Sequence, residues 1–247
     1  MEAIVVTANS SADLRGLILC GPLRKAFTRV VVVDNTSTDN SVELAKNAGF
    51  DVICKRPGGY GEAVNLGAQH VGGDHFAILN PDIRFFDESV IERLMVHFQD
   101  PRVGIVAPGL QLLTGEMQDS ARRVPTPLDL LIRRLGIDPT RGIVRAPGDV
   151  DWVVGACLLV SRYMWTRVGG FDARYRLYFE DVDLCVRVRA ADQLVRYDPS
   201  VVVEHAHRAA SRRTFFGKAF RYHLRSAVLF YFQYLQRKLQ TLASHQR

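Results

Sequence analysis

Short β-branched runs alternate with segments of helical spacing through the first half of the chain. Residues 3–7 (Ala3, Ile4, Val5, Val6, Thr7) read as a strand and 12–23 as a helix. A valine-rich run over 29–33 reads as a buried strand of the parallel-sheet kind. The polar loop from Asp34 to Asp39 supplies N-cap candidates for a helix over 41–48. A strand over 51–54, the loop Gly58-Gly59-Tyr60-Gly61, a helix over 62–71 and a strand over 75–79 complete the alternation. This order predicts an α/β fold with a doubly wound, mostly parallel sheet flanked by helices. Ligands of such sheets sit beyond the carboxyl ends of the strands. Asp34 and Asp82 fall there.

The pattern then loosens. A helix over 89–99 and a strand over 103–108 are predicted. Residues 122–150, rich in Arg, Pro and Gly, read as a loop or lid. Beyond it come an apolar strand over 152–161, a short helix over 163–168 broken by Gly169-Gly170, a helix over 181–190 and a last strand over 201–204. The basic, aromatic stretch 211–239 reads as one long helix. Residues 1–207 thus form one domain, and 208–247 a helical tail.

Bulk properties narrow the class. A chain of 247 residues, 47% hydrophobic, has the make-up of a globular protein with a large core. The four cysteines form no C-x-x-C, which argues against a structural zinc site or a disulfide framework and predicts a reducing, cytoplasmic setting. A strand begins at once, so no signal peptide is expected. The apolar run from Ala227 to Phe232 is too short to span a bilayer. Charge is uneven: beyond Glu204 there are nine Lys or Arg and no acid, on a slightly acidic domain. That asymmetry suggests a local anionic partner rather than nucleic acid.

Candidate chemistry concentrates in a few places. Glu180, Asp181 and Asp183 lie within four residues, among apolar neighbours, where acids cost free energy unless they are used. Glu180 and Asp181 fall at a helix N-terminus, which favours ionised acids, and either suits a general base. Asp183 and Arg187, four apart, read as a helix pair. Pro81 presents Asp82 at the sheet edge, as a ligand for Mg²⁺ or Mn²⁺ or as a plain turn residue. His205 follows a β-branched strand and reads as a metal or phosphate ligand or as a core histidine. Asp34 fits a base or ribose contact and equally a capping turn. The glycine loop could approach a phosphate, but it matches neither a P-loop nor G-x-G-x-x-G.

Seven motifs occur in order: Val33-Asp34-Asn35-x-Ser37-x-Asp39, Gly59-Tyr60-Gly61-x-Ala63-x-Asn65-x-Gly67, Leu79-Asn80-Pro81-Asp82, Trp152-x-x-Gly155-Ala156, Gly169-Gly170-Phe171-Asp172, Glu180-Asp181-x-Asp183-Leu184-Cys185-x-Arg187, and His205. Together, over about residues 3–207, they resemble the family 2 glycosyltransferases of GT-A fold, and within these the bacterial rhamnosyltransferases of cell-wall and polysaccharide assembly. The resemblance implies inverting transfer from a nucleotide-diphospho-sugar, with rhamnose from dTDP-rhamnose as the expected donor. It assigns Thr7, Asn9, Asp34, Asn35, Gly61, Asn65, Asn80 and Asp82 to the donor. Trp152, Gly155 and Ala156 would shape the sugar and acceptor pocket. Asp181 would be the base with Glu180 beside it, and Asp82 and His205 would hold Mg²⁺ or Mn²⁺. Three positions depart from the family's pattern: Ala8 replaces a Tyr, Pro57 an Asn, and Asn80 the first acid of the D-x-D-type motif.

For the tail, the resemblance suggests a glycan or polyprenyl-diphosphate-linked acceptor at the inner face of the cell membrane. Phe215, Phe216, Phe220, Leu224, Val228, Tyr231 and Leu235 recur at helical spacing among basic residues. Such a helix can lie on an anionic membrane, pack on the domain or form a homodimer. Two other function classes stay open on sequence: a nucleotidyltransferase, and a non-catalytic protein binding anionic lipid or nucleic acid.

Overall fold

A computed structural model describes residues 1–138, 140–206 and 218–244. Four parallel strands form one half of its sheet, in the order β3 (Asp51–Cys54), β2 (Arg29–Asp34), β1 (Glu2–Thr7), β4 (His75–Leu79). Their side chains alternate between two cores. Ile4, Val6, Val31, Val33 and Ile78 face one; Ala3, Val5, Val30, Val32, Ala77 and Leu79 face the other. Burial on both faces is why these runs are nearly all apolar.

Beyond β4 the sheet is mixed, where the sequence predicts a mostly parallel one. β10 (Cys157–Ser161) pairs antiparallel with both β4 and β6 (Val103–Gln111). β11 (Leu194–His205) runs parallel to β6, and β5 (Ile83–Phe85) and β8 (Gly148–Asp149) lie antiparallel to β11. The reversal has a positional result. Cys157 pairs with Leu79, so the residues entering β10 meet those leaving β4. His205 pairs with Ile83, so the end of β11 meets Asp82.

Several elements differ from expectation for local reasons. The predicted helix over 12–23 is two, α1 (Ser11–Leu19) and α2 (Gly21–Ala26), parted by Cys20 in extended conformation with Pro22 in the first turn of the second. α3 (Ser41–Asn47) stands as expected, whereas α4 (Tyr60–Ala68) starts two residues early, after an extended Gly59. The predicted helix over 89–99 is α5 (Val90–Met95) followed by a 3-10 turn. Within 122–150 lie β7 (Ala121–Arg122), which pairs with β9 (Trp152–Val153), and α6 (Pro127–Arg134). A capping signal for α6 was legible: Thr126 Oγ1 accepts from Asp129 N–H, Asp129 accepts from Thr126 N–H, and Pro127 opens the helix. The predicted strand over 152–161 is therefore β9 and β10 with Val154, Gly155 and Ala156 between them. β11 starts well before 201 and absorbs Asp198-Pro199-Ser200 as an irregularity between Asp198 and Val202.

α7 (Arg162–Val168) ends at Gly169, whose φ of +77° is the left-handed stop a glycine tolerates. α8 (Glu180–Ala190) carries the acid cluster. α9 (Lys218–Ser244) packs on the domain through Ala227 and Phe230, which share a third core with Tyr175, Phe179 and Val182. Leu224, Val228 and Leu235 of the expected aromatic stripe are exposed instead, while Phe215 and Phe216 lie outside the described residues. Among the described residues, no helix is long and apolar enough to cross a membrane.

Candidate active site

Thr7, Asp34, Asn80, Asp82, Ala156 and His205 come to one edge of the sheet because the carboxyl ends of β1, β2, β4 and β11 and the entry to β10 lie there. Thr7 and Asp34 are register partners at the ends of β1 and β2. Both are buried, and each leaves one oxygen, Thr7 Oγ1 and Asp34 Oδ1, without a hydrogen-bond partner. An orphaned buried acceptor is costly unless a ligand uses it. The other Asp34 oxygen accepts from Ser37 N–H, 3.0 Å away. Helix capping falls to Asp39, which accepts from Ser11 and Ser41 at the starts of α1 and α3.

A chain of contacts leads from the end of β4 to the acid pair. Asn80 N–H donates to Ala156 O at 2.8 Å. Tyr60 OH lies 3.2 Å from both Asn80 Oδ1 and Gly155 O. Burial, then the charges of Glu180, Asp181 and Asp82, raise the Tyr60 phenol far above its usual range, so it stays a donor. Gly155 N–H donates to Asp181 Oδ2 at 3.1 Å, and Val182 N–H to Asp181 Oδ1 at 2.9 Å. A Cβ on Gly155 would stand 3.3 Å from that of Asp181, so a larger residue would crowd the carboxylate.

Burial pushes the Asp181 carboxyl above the ordinary range, against the pull of those two N–H groups. Burial, then the charge of Asp181, pushes Glu180 up as well, and Glu180 Oε2 has no partner. Asp183 is fully buried and forms the expected pair with Arg187, at 2.7 Å.

Asp82 Oδ1 lies 3.4 Å from His205 Nε2. His205 Nδ1 is 2.7 Å from Gln118 Oε1. The amide oxygen orients the ring through Nδ1, which leaves Nε2 as the ring atom nearest Asp82. A carboxylate and an imidazole nitrogen set side by side, with the ring oriented from behind, fit a shared cation. Among the described residues no three His, Cys, Asp or Glu side chains gather to hold a metal. His207 lies outside the described residues.

Several residues that the resemblance gives to the donor or the sugar pocket also have partners in the scaffold. Asn65 donates to Phe171 O at 2.7 Å and accepts from Phe171 N–H at 2.9 Å, so its whole amide braces that turn. Gly61 is small because a Cβ would lie 2.7 Å from the Cβ of Phe171. Asn35 is spent on Gly58, donating to its carbonyl and accepting from its N–H. Asn9 Oδ1 accepts from Thr38 N–H, tying two loops together. The Ala156 methyl sits in the core, and its carbonyl holds Asn80. Trp152 donates to Arg123 O under the Arg122 guanidinium, partly buried beside β7. Sequence reading gave no role to Gln118 and none of its own to Tyr60. The Tyr60 signal was its place inside the glycine loop.

Residues 3–162 match the model for glycosyl transferase family 2, and the chain belongs to that family. It is a glycosyltransferase, which sets aside the nucleotidyltransferase and non-catalytic readings. Rhamnosyltransferase WbbL of Escherichia coli (strain K12) is 30% identical over 227 residues, covering 85% of this chain and 83% of the relative. The N-acetylglucosaminyl-diphospho-decaprenol L-rhamnosyltransferase of Mycobacterium tuberculosis (strain CDC 1551 / Oshkosh) is 31% identical, covering 74% and 67%. In fold, the chain is similar to a mannosyltransferase from Pyrobaculum calidifontis in complex with GDP-Man and Mn²⁺ (TM-score 0.59, 18% identity). It is also similar to GalNAc-T7 with UDP, GalNAc and Mn²⁺ (TM-score 0.63, 17% identity). The match covers 85% and 83% of this chain but only 57% and 43% of those two. The architecture is GT-A.

The acid pair makes a prediction about stability. Both acids bind protons more tightly folded than unfolded, so stability falls as pH rises above the ordinary carboxylate range. Glu180→Gln removes one such group. Its melting temperature should gain on the wild type between about pH 5 and about pH 8. A constant gap across that range would contradict the raised acid.

Proposed function

We propose that this glycosyltransferase moves rhamnose from dTDP-rhamnose, with inversion, to a hydroxyl of a sugar carried on a polyprenyl diphosphate. The observation that carries the mechanism is the Asp181 carboxylate. It is half-buried, raised in basicity and aimed by the N–H groups of Gly155 and Val182. The names of the two rhamnosyltransferase relatives support the sugar, and that of the mycobacterial one supports the lipid-linked acceptor.

Asp34 Oδ1 and Thr7 Oγ1 take the nucleoside, which supplies the hydrogen bonds they lack. Asp181 accepts the proton of the acceptor hydroxyl as its oxygen bonds to the anomeric carbon. The bond from that carbon to the diphosphate breaks on the opposite face, and its electron pair leaves with the nucleoside diphosphate. One such displacement inverts the centre. Asp82 and His205 would hold Mg²⁺ or Mn²⁺, which offsets the charge of the departing diphosphate. Glu180, protonated near neutral pH, adds no second negative charge beside the base.

A second face bears on the partner. Leu224, Val228, Phe232, Leu235 and Leu239 are 54–67% exposed on α9, with Arg221 and Arg225 also exposed and no acid in the helix. An amphipathic helix of this make-up fits an anionic bilayer surface, where a polyprenyl acceptor resides.

Asp181→Asn should bind dTDP as the wild type does and lose transfer by about a hundredfold or more. Full turnover would sink the base assignment. Gln118→Leu should weaken Mn²⁺ binding in the presence of dTDP roughly tenfold by calorimetry, through the lost orientation of the His205 ring. Unchanged affinity would remove His205 from the cation site. For the tail, co-sedimentation with phosphatidylglycerol vesicles should be lost in a Leu224→Ser/Val228→Ser/Phe232→Ser variant. If that variant instead turns a solution dimer into a monomer, the face joins two copies.

A further inference from the structure

The segment that delivers the base is held in an unfavourable backbone conformation. Tyr178 and Phe179, the two residues before α8, both have φ of +67°. Neither is Gly or Asn, and left-handed backbone is unfavourable for bulky residues of this kind. Two in succession persist only if their surroundings over-determine them. Asp181 follows two residues later, so the direction of the first turn of α8 depends on that pair.

Much of the restraint comes from α9. The Phe179 ring lies 5.3 Å from the rings of Phe230 and His223, and the Tyr178 ring lies 5.4 Å from that of His223, tilted at 57°. Ser226 Oγ donates to Leu177 O at 2.9 Å. Gln233 accepts from Tyr175 OH and donates to Asp172, each at 3.3 Å. On the far side of the acid pair, Arg237 Nη1 donates to Asp183 Oδ1 at 2.9 Å. The other Asp183 oxygen is taken by Arg187, so this buried carboxylate is shared between α8 and α9. The body of α8 has its own anchors in the main core, through Leu184, Cys185 and Val188. α9 also holds Pro125 O through Tyr231 OH at 2.8 Å, but around the acid pair it engages residues 172–179, Val182 and Asp183, either side of Glu180 and Asp181.

We propose that α9 is a clamp that sets the position of the Asp181 carboxylate, with Arg237 and Phe230 as positioning residues. The proposal rests on reading Asp181 as the base. Its logic is geometric. Arg237 fixes the first turn of α8 from one side, and Phe230 fixes the left-handed turn from the other. If either is released, Asp181 can move relative to Gly155. A displacement of about 1 Å costs on the order of a hundredfold in rate at a reacting centre. The strands β1, β2 and β4, which carry Thr7, Asp34 and Asp82, are anchored in the main sheet rather than on α9.

The test is Arg237→Met in the full chain, with Arg237→Lys as the conservative control. We expect dTDP affinity in Mn²⁺ to stay at the wild-type value. The kcat for transfer from dTDP-rhamnose to a polyprenyl-diphospho-N-acetylglucosamine should fall about tenfold or more. The acidic limb of the kcat–pH profile should shift, and Arg237→Lys should recover part of the rate. If Arg237→Met does not fold, Phe230→Leu, which keeps most of the apolar volume, is read by the same measurements. Wild-type kcat and pH profile in the folded variant would overturn the clamp. So would a parallel loss of dTDP affinity and kcat with a lowered Tm, which marks a general structural role. An active Asp181→Asn enzyme would sink the base assignment whatever α9 does. An inactive Asp181→Asn beside an unimpaired Arg237→Met sinks the clamp alone.

Discussion

Two adjacent carboxyl groups, Glu180 and Asp181, are held largely out of water, and the rest of the site is organised around that cost. A buried acid must be neutral, paired with a cation or given N–H donors. The chain uses different means for each. Asp181 receives two backbone donors, from Gly155 and Val182. Glu180 sits at the N-terminus of α8 with its carboxyl pushed toward the neutral form. Asp183, one turn in, has cations from two helices. One short stretch thus holds three acids by three different sets of partners.

That requirement explains features of the fold that look incidental. The antiparallel β10 enters the sheet from the carboxyl edge, which is the way a backbone N–H from this strand's approach can reach α8. The residue making that contact is glycine because the Asp181 side chain stands against it. The Tyr60 hydroxyl then joins Gly155 to Asn80 and so ties the base side of the site to the donor side.

Strand ends and acids were legible in the sequence. Asp34, Asp82, Asp181 and His205 each close or follow an apolar run, and the topology brings all four to one edge. The scaffold role of the motif amides was not legible. Asn35 and Asn65 read as donor contacts, and each also engages a backbone group far along the chain, Gly58 or Phe171. A polar residue near a site has the same spelling whether it binds the substrate or the wall. Gln118 and Arg237 escaped for a related reason: their partners lie 87 and 54 residues away, and no periodicity reports them. The mixed sheet was hidden because an apolar run does not encode its direction.

The sharing of Asp183 between α8 and α9 also bears on the order in which the molecule is completed. Parallel strands β1 to β4 and the donor edge are built from the first third of the chain. The turn before α8 has most of its external restraints only once Ser226, Phe230, Gln233 and Arg237 are in place. As a chain emerges from its N-terminal end, the edge carrying Thr7 and Asp34 is therefore complete well before the turn that presents Asp181 is restrained, so the two halves of the pocket are finished at different times.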